Sequence, residues 1–320
     1  MTMGRALRLG VIGVGHLGRH HARLLGAMAG VDLVGVADLL EERARAAADG
    51  TTAEALTDYR DLLGRVDAVT IAVPTQHHLA VAREFLQRGI HVLVEKPMTT
   101  SLEEADEMLA LADAHKAVVA VGHTERFNPA LIAAWPVLQR PRFIEVHRLS
   151  GFPERSLDID VVFDVMIHDL DIAIAMDRTE VVGVEAVGVP VLTSRIDIAN
   201  ARVKFASGCV ANITASRISR EKVRKVRCFQ PDRYVSVDYA SQELEVWRLE
   251  PKPGERPLID GGPVAVVKDE PLRIELADFV SAIREGRAPG VTGRDGRRAL
   301  ALATRVADAV AQSTVASGAI

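Results

Sequence analysis

The chain has 320 residues, 48% of them hydrophobic, with 39 Lys and Arg against 43 Asp and Glu for a formal net charge of −4. That length suggests about two domains of roughly 150 residues each, and the slightly acidic balance offers no basic surplus for nucleic acid or an anionic membrane surface. Two cysteines without metal-ligand spacing, Cys209 and Cys228, fit a reduced, cytoplasmic protein, and no apolar run approaches the ~18 residues of a membrane span.

In chain order, the opening "LRLGVIG" reads as a strand and turn; its apolar stretch is too short and glycine-broken for a signal peptide. From there to about residue 122, β-rich runs alternate with helical patterns. The runs are "LRLGVIG", "VDLVGVAD", "AVTIAV", "HVLVE" and "AVVAVG". The helical stretches between them are "HLGRHHARLLGAM", "EERARAAA", "HHLAVAREFLQRG" and "LEEADEMLALADAHK". Such alternation predicts a doubly wound parallel sheet with helices on both faces.

The first turn contains Gly13-x-Gly15-x-x-Gly18 between a strand and a helix, with His16 and Leu17 at its tip, and Asp38 ends the next strand. In that context the pattern predicts a dinucleotide site. Gly13 allows the tight turn, Gly15 lets backbone approach a pyrophosphate, and Gly18 lets helix and sheet close up. The helix start offers N–H groups and a positive dipole end to the phosphates. Asp38 is placed to accept the ribose hydroxyls of NAD and repel the extra phosphate of NADP. Leu39 and Leu40 follow it, with no Arg to receive that phosphate. Pro74 and Thr75, then Glu95, Lys96 and Pro97, follow later strands, where open α/β sheets bind ligands. His77 and His78 begin a helix, as packing or capping groups or, for His78, beside the cofactor.

Beyond about residue 140 the pattern changes. "FIEVHRL", "VVGVEAVGVPV", "ANARVKFA", "CVANITASRI", "VRKVRCF", "YVSVDYA" and "LEVWRL" read as strands, and the tight connections "ASG" and "QPD" favour antiparallel pairing. Helices are expected over 160–176, 272–286 and 294–315, and "EPKPGERPLIDGGP" (250–263) is expected to be a surface loop. The reading is therefore an α/β chain: a Rossmann domain over 1–122, then an α/β domain over 123–320 on a mainly antiparallel open sheet, with the last helices free to pack back on the first domain.

The segment "DVVFDVMIHDLDI" (160–172) is apolar nearly all round, yet holds four Asp and one His. At about 100° per residue, Asp160, Asp164, His168 and Asp171 share one narrow stripe and Asp169 points away. The stripe suits a cleft better than open water, where Lys and Glu are usual. A neutral imidazole such as that of His168 can accept a proton. Short carboxylates accept hydroxyl protons without filling a pocket. Asp164 and Asp171 can orient the imidazole or bind neighbouring hydroxyls, while Asp160 suits a helix cap.

These features together resemble the Gfo/Idh/MocA oxidoreductases across essentially the whole chain. The likeness rests on Gly13-x-Gly15-x-x-Gly18, Asp38, "VPTQHH", "VEKP", the Asp164-x-x-x-His168 spacing and "ELADFVSAIREG…VTGRDGRRAL". It implies NAD as cofactor, with Lys96, Asp164 and His168 meeting at the nicotinamide. It also implies a second-domain sheet that binds substrate on one side and pairs subunits on the other, as a homodimer or homotetramer. The lead-in "SLDIDVVFDVMIHDLD" lacks the small residues of many members; with "GHTERFNPA" and "SGFPERS" it resembles the branch that oxidises UDP-N-acetylglucosamine-type nucleotide sugars at carbon 3.

On that reading Lys96 stabilises alkoxide character, and either Lys96 or His168 takes the proton. Arg126 and Asn128 contact substrate or form a domain-junction turn. Arg155, Arg217, Lys222 and Arg224 contact a diphosphate, or the last three form the polar side of a strand. The rival readings are a divalent metal on Asp164, His168 and Asp171, a sensor or scaffold without turnover, and an inositol or free-sugar substrate. Alcohol oxidation by NAD needs no metal, and none is expected.

Overall fold

The computed structural model describes residues 5–152, 159–250, 252 and 258–316. Two compact units emerge: one up to Thr124 joined by Glu270–Arg297, the other Glu125–Asp269 with the chain from Arg298.

The first unit is built from β1 (Leu7–Ile12), α1 (Gly18–Gly26), β2 (Val31–Ala37), α2 (Glu41–Ala48), β3 (Glu54–Leu56), β4 (Ala68–Ile71), α3 (His78–Leu86), β5 (His91–Glu95), α4 (Leu102–His115) and β6 (Val119–Gly122). All six strands run parallel in the order β3-β2-β1-β4-β5-β6. β4 and β6 are buried along their whole length, as strands covered on both faces must be. The chain winds outward both ways from β1, so the loops after β1 and β4 flank the crevice where such sheets bind ligands. β3 was not foreseen: three residues at a sheet edge leave too little pattern to read.

The second unit contains α5 (Pro129–Ala134), β7 (Phe143–Leu149), a π-helical turn (Val162–Met166), α6 (Ile167–Asp177), β8 (Val181–Val189), β9 (Ile198–Phe205), β10 (Val210–Ser216), β11 (Val223–Phe229), β12 (Arg233–Asp238), β13 (Glu243–Glu250) and β14 (Leu258–Val264). Its eight strands lie in the order β14-β13-β12-β11-β7-β10-β9-β8. Pairing is antiparallel except between β7 and β10. The turn after β9 closes with Gly208 at φ +85°, as "ASG" promised. Ile144 and Val146 of β7, Met166, Ile167 and Leu170 near the start of α6, and Leu131 of α5 share its core.

β14 corrects the expected loop at 250–263. Its backbone pairs with β13, and Gly261 faces Trp247 where a Cβ would lie 2.1 Å from the Val246 carbonyl oxygen. Gly261, one of the glycines that suggested a loop, allows close strand approach.

Two further helices follow, α7 (Pro271–Glu285) and α8 (Gly293–Ala316). Residues 270–297 count with the first unit because Leu276, Phe279 and Val280 of α7 share a core with Leu9, Val11, Leu25 and Leu33. Ala299, Leu302, Ala303 and Val306 of α8 instead join the core of the second unit. No helix among the described residues is long and apolar enough to cross a membrane.

Candidate active site

At the cofactor end, the glycines do three different jobs. Gly13 has φ +79°, and a Cβ there would lie 2.8 Å from the Ala72 carbonyl oxygen in the loop after β4. A Cβ on Gly18 would lie 1.8 Å from the Gly13 carbonyl oxygen, so the turn cannot close with any larger residue. Gly15 has open space in front of it, and His16 and Leu17 are exposed beside it. No side chain caps the start of α1 and its first turn holds no acid, so no negative side chain competes with an anion for its positive dipole end. An open cleft of about 430 Å³ lies there, lined by Val14, Gly15, His16, Arg19 and Arg43 among others. A dinucleotide fits this cradle: backbone donors and cations for its pyrophosphate, and Asp38 for its ribose.

Asp38 accepts hydrogen bonds from the Val14 and Leu40 amides at 3.0 and 2.9 Å, which aims its carboxylate back over the glycine turn. Leu39 and Leu40 are exposed. The reading of a site without a nearby arginine needs correction, because Arg43, one turn into α2, lines the same cleft. Helical spacing, not sequence adjacency, brings it there.

Pro74 is exposed and Thr75 half-buried after β4. His78 is buried, its Nε2 2.8 Å from the Val73 carbonyl and its Nδ1 3.1 and 3.3 Å from the Pro97 and Met98 carbonyls, and in a neutral ring one of the two nitrogens donates. It ties the loop after β4 to the loop after β5, the packing role rather than a cofactor contact. Burial pushes its pKa down. Glu95 is buried, and Lys96 directly after it is half-buried at the carboxyl end of β5.

In the second unit the polar stripe is bent by the π turn over Val162–Met166, where 100° per residue no longer holds. Asp164 and His168 stay half-buried, near the start of α6. Asp160 is not a helix cap: its carboxylate accepts the Ile196 amide at 3.0 Å. Asp171 is buried and accepts Arg126 at 2.7 Å, so each of these two predicted substrate contacts is held by the other. The metal reading loses its third ligand to that pair, and no group of three or more His, Cys, Asp and Glu among the described residues is placed to hold an ion.

Asp169 points away from the stripe, but into charge rather than oil. Arg148 grips it in bidentate fashion at 2.7 and 2.8 Å and also donates to Glu125 at 2.8 Å, with the Tyr239 ring 5.4 Å from the guanidinium carbon. Burial disfavours the Arg148 charge, yet Asp169 and Glu125 outweigh it and hold its pKa above the ordinary value. Arg148 was missed, although "FIEVHRL" alternates and sets it in phase with inward Ile144 and Val146.

Asn128 is buried, caps α5 through the Ala130 amide and donates to the Tyr239 carbonyl at 3.0 Å: the junction turn, not a substrate contact. Arg217 corrects the diphosphate reading. It is 1% exposed and donates to Asp197, the Ile159 carbonyl and Thr193. Burial opposes ionisation of Asp197, but the Leu192, Thr193 and Val191 amides and the Thr193 hydroxyl hold its carboxyl well below the usual range. Arg224 pairs with Arg148 across β11 and β7, on the face that carries the core, and is exposed at its rim. Lys222 is exposed just before β11. Arg155 lies outside the described residues.

Residues 7–123 match the oxidoreductase family with an NAD-binding Rossmann fold. The chain is 42% identical over 308 residues to UDP-N-acetylglucosamine 3-dehydrogenase of Acidithiobacillus ferrooxidans, covering 95% of this chain and 97% of that protein. The solved structure of that enzyme superposes with a TM-score of 0.88 over 95% of this chain and 97% of its own. Inositol 2-dehydrogenase of Rhizobium meliloti is 26% identical over 96% of this chain and 97% of its own length. A levoglucosan dehydrogenase complex with NADH and levoglucosan, 20% identical, shares the fold with a TM-score of 0.84 over 96% of this chain and 97% of that one. With the glycine cradle, Asp38 and a whole-chain relative in agreement, this chain belongs to the Gfo/Idh/MocA family and is an NAD-dependent oxidoreductase acting on CH–OH groups.

Proposed function

We propose that the chain oxidises the carbon-3 hydroxyl of UDP-N-acetylglucosamine or a closely related UDP-amino sugar, in amino-sugar synthesis for lipid A or surface polysaccharide. The observation that carries this reading is the whole-chain similarity to the Acidithiobacillus ferrooxidans enzyme, at 42% identity and without large gaps in coverage. Exposed Arg224 and Lys222 at the rim of the second unit's sheet support it, since a diphosphate needs cations that are not already spent on buried carboxylates.

In this reading Lys96 and His168 act on one hydroxyl. The nicotinamide supplies a hydride acceptor. His168 accepts or relays the hydroxyl proton, Lys96 stabilises the developing alkoxide, and Asp164, one turn from His168, orients the imidazole or a neighbouring hydroxyl. The exposed face of the eight-stranded sheet, with Val187 and Val189 on β8 and Leu249 on β13, supports pairing of two or four copies. Sedimentation velocity checks that arm, a single monomer peak being the contrary result.

The test of the reaction is NADH formation with purified protein, NAD and a panel of UDP-N-acetylglucosamine, its uronic acid, UDP-glucose, inositol and free hexoses. Turnover confined to the UDP-amino sugars is expected; turnover confined to inositol or free hexoses overturns the substrate. His168→Ala is expected to lower kcat by about 10²- to 10⁴-fold with NAD affinity nearly unchanged, and near-wild-type turnover would remove His168 from the chemistry.

A further inference from the structure

The π turn that contains Asp164 is a feature the proposed chemistry does not account for. At its end the Ile167 amide donates to the Val162 carbonyl five residues back, one residue more than an α-helix takes. Single turns of this kind are rare inside helices and recur at functional sites. A helix left to itself closes bonds four residues back, so the extra residue is kept there by its surroundings.

Those surroundings hold the chain at both ends. After the turn, Met166, Ile167 and Leu170 are fully buried in one core with Ile144 and Val146 of β7. Before it, Ile196 brackets two residues: its amide donates to the Asp160 carboxylate at 3.0 Å, and its carbonyl accepts the Val161 amide at 3.0 Å. Arg217, just after β10, adds a bond from Nη1 to the Ile159 carbonyl at 2.7 Å. Ile196 is itself anchored, because Asp197 beside it accepts the Val191, Leu192 and Thr193 amides and the Arg217 guanidinium at 2.7 to 2.9 Å. Between the two anchors the π turn takes up the residue that an α-helix has no room for. The Asp160 carbonyl accepts the Phe163 and Asp164 amides, both at 3.1 Å. Asp160 therefore grips Ile196 with its carboxylate and Asp164 with its carbonyl.

We propose that Asp160 is a positioning residue for Asp164: by pinning the chain to Ile196 it keeps the π turn, and the π turn sets where the Asp164 carboxylate stands relative to His168. This role rests on Asp164 and His168 meeting the substrate as proposed above. Without the pin the turn relaxes to the α register. That rotates the residues ahead of it by about 100°, one residue's worth, and carries Asp164 part of the way. Misplacing a reacting group by about 1 Å costs up to about 10²-fold in rate.

The experiment reads the turn and the turnover separately. Amide hydrogen exchange is resolved residue by residue over 160–176 in wild type, Asp160→Ala and Asp160→Asn, and kcat with UDP-N-acetylglucosamine is measured on the same proteins. In Asp160→Ala, exchange at Phe163 and Asp164 is expected to quicken about tenfold while Ala173 to Met176 keep the wild-type rate. kcat should fall about 10- to 100-fold with NAD affinity unchanged. Asp160→Asn, which keeps an oxygen for the Ile196 amide, should restore both. In an Asp164→Ala background, Asp160→Ala should change kcat by less than about twofold, since the group it positions is gone. A full additional loss there, or equal exchange in wild type and Asp160→Ala, overturns the proposal. If Asp160→Ala does not fold, Arg217→Lys decides, because it keeps a charge for Asp197 but not the fork that also reaches Ile159: wild-type exchange at Asp164 overturns the pin. Quickened exchange in a protein that turns over no sugar, or whose Asp164→Ala variant works like wild type, sinks the reaction proposed above and leaves the pin standing; unmoved exchange in an enzyme that needs Asp164 does the reverse.

Discussion

The two units hold their candidate site residues in opposite ways. In the first unit the cofactor cradle is shaped by what is missing: no side chain at Gly13, Gly15 or Gly18, and none capping α1. In the second unit the helix that carries Asp164 and His168 is backed by what is present, the Arg148–Asp169–Glu125 network and the Arg126–Asp171 pair. A cradle of backbone leaves a local, readable pattern. A cradle of buried charge draws its members from α6, β7 and the turn before α5, and no short motif contains them.

The comparison predicts that the two halves break differently. Arg148→Met strands Asp169 as an unpaired buried charge, and should cost about 3–5 kcal/mol of stability, measured by urea unfolding; a loss under about 1 kcal/mol would show the network to be ornamental. Gly18→Ala drives a Cβ into the Gly13 carbonyl, so NAD affinity should fall about tenfold or more, near 1.4 kcal/mol, by calorimetric titration. Its effect on sugar-site residues should be small, and unchanged NAD binding would mean the turn is softer than its geometry.

Asp38→Ala probes the cradle more gently. With Arg43 already lining the cleft, loss of the carboxylate should reduce the preference for NAD over NADP by about tenfold, within the ~1.5–3 kcal/mol of a charge-assisted hydrogen bond. An unmoved ratio of kcat/KM values would place the ribose elsewhere. The smallest effect belongs to Asp67, which joins β1 to the start of β4. The Arg8 hydrogen bonds hold its pKa at about 2 against an ordinary 3.8, with burial opposing and the Arg8 amide and the charges of Arg8 and Arg5 assisting. A depressed carboxyl stabilises the fold above its unfolded pKa and loses that contribution as pH falls through the folded value. About 1–2 kcal/mol should therefore vanish between pH 3.8 and about 2 in wild type, and Asp67→Asn should flatten that stretch of the acid-unfolding curve.

Corrections to the sequence reading cluster where side chains answer to distant partners. Arg217 looked like a solvated cation at a strand end, and is instead among the largest fully buried side chains because Asp197, twenty residues earlier, waits for it. Asp169 and Asp171 lie two residues apart on one largely apolar helix, yet Arg148 and Arg126 claim them from outside that helix. The π turn at Val162–Met166 spoiled the regular projection that sorted them.

By itself the sequence determined the alternation of strand and helix that makes a parallel sheet, the glycine turn with its acid at the end of the next strand, and the placing of Lys96 just after a strand and of His168 on a helix four residues after Asp164. Each depends on interactions within a few residues, or on a period that burial imposes along one segment. Tertiary structure alone decided that burial pushes the carboxyl of Glu275 in α7 up while, against burial, the His21 hydrogen bond brings that of Glu95 down, and that Arg217 is structural while Arg224 stays exposed. Ionisation and exposure are set by which groups from distant segments share a low-dielectric space, and that sharing is written in the packing.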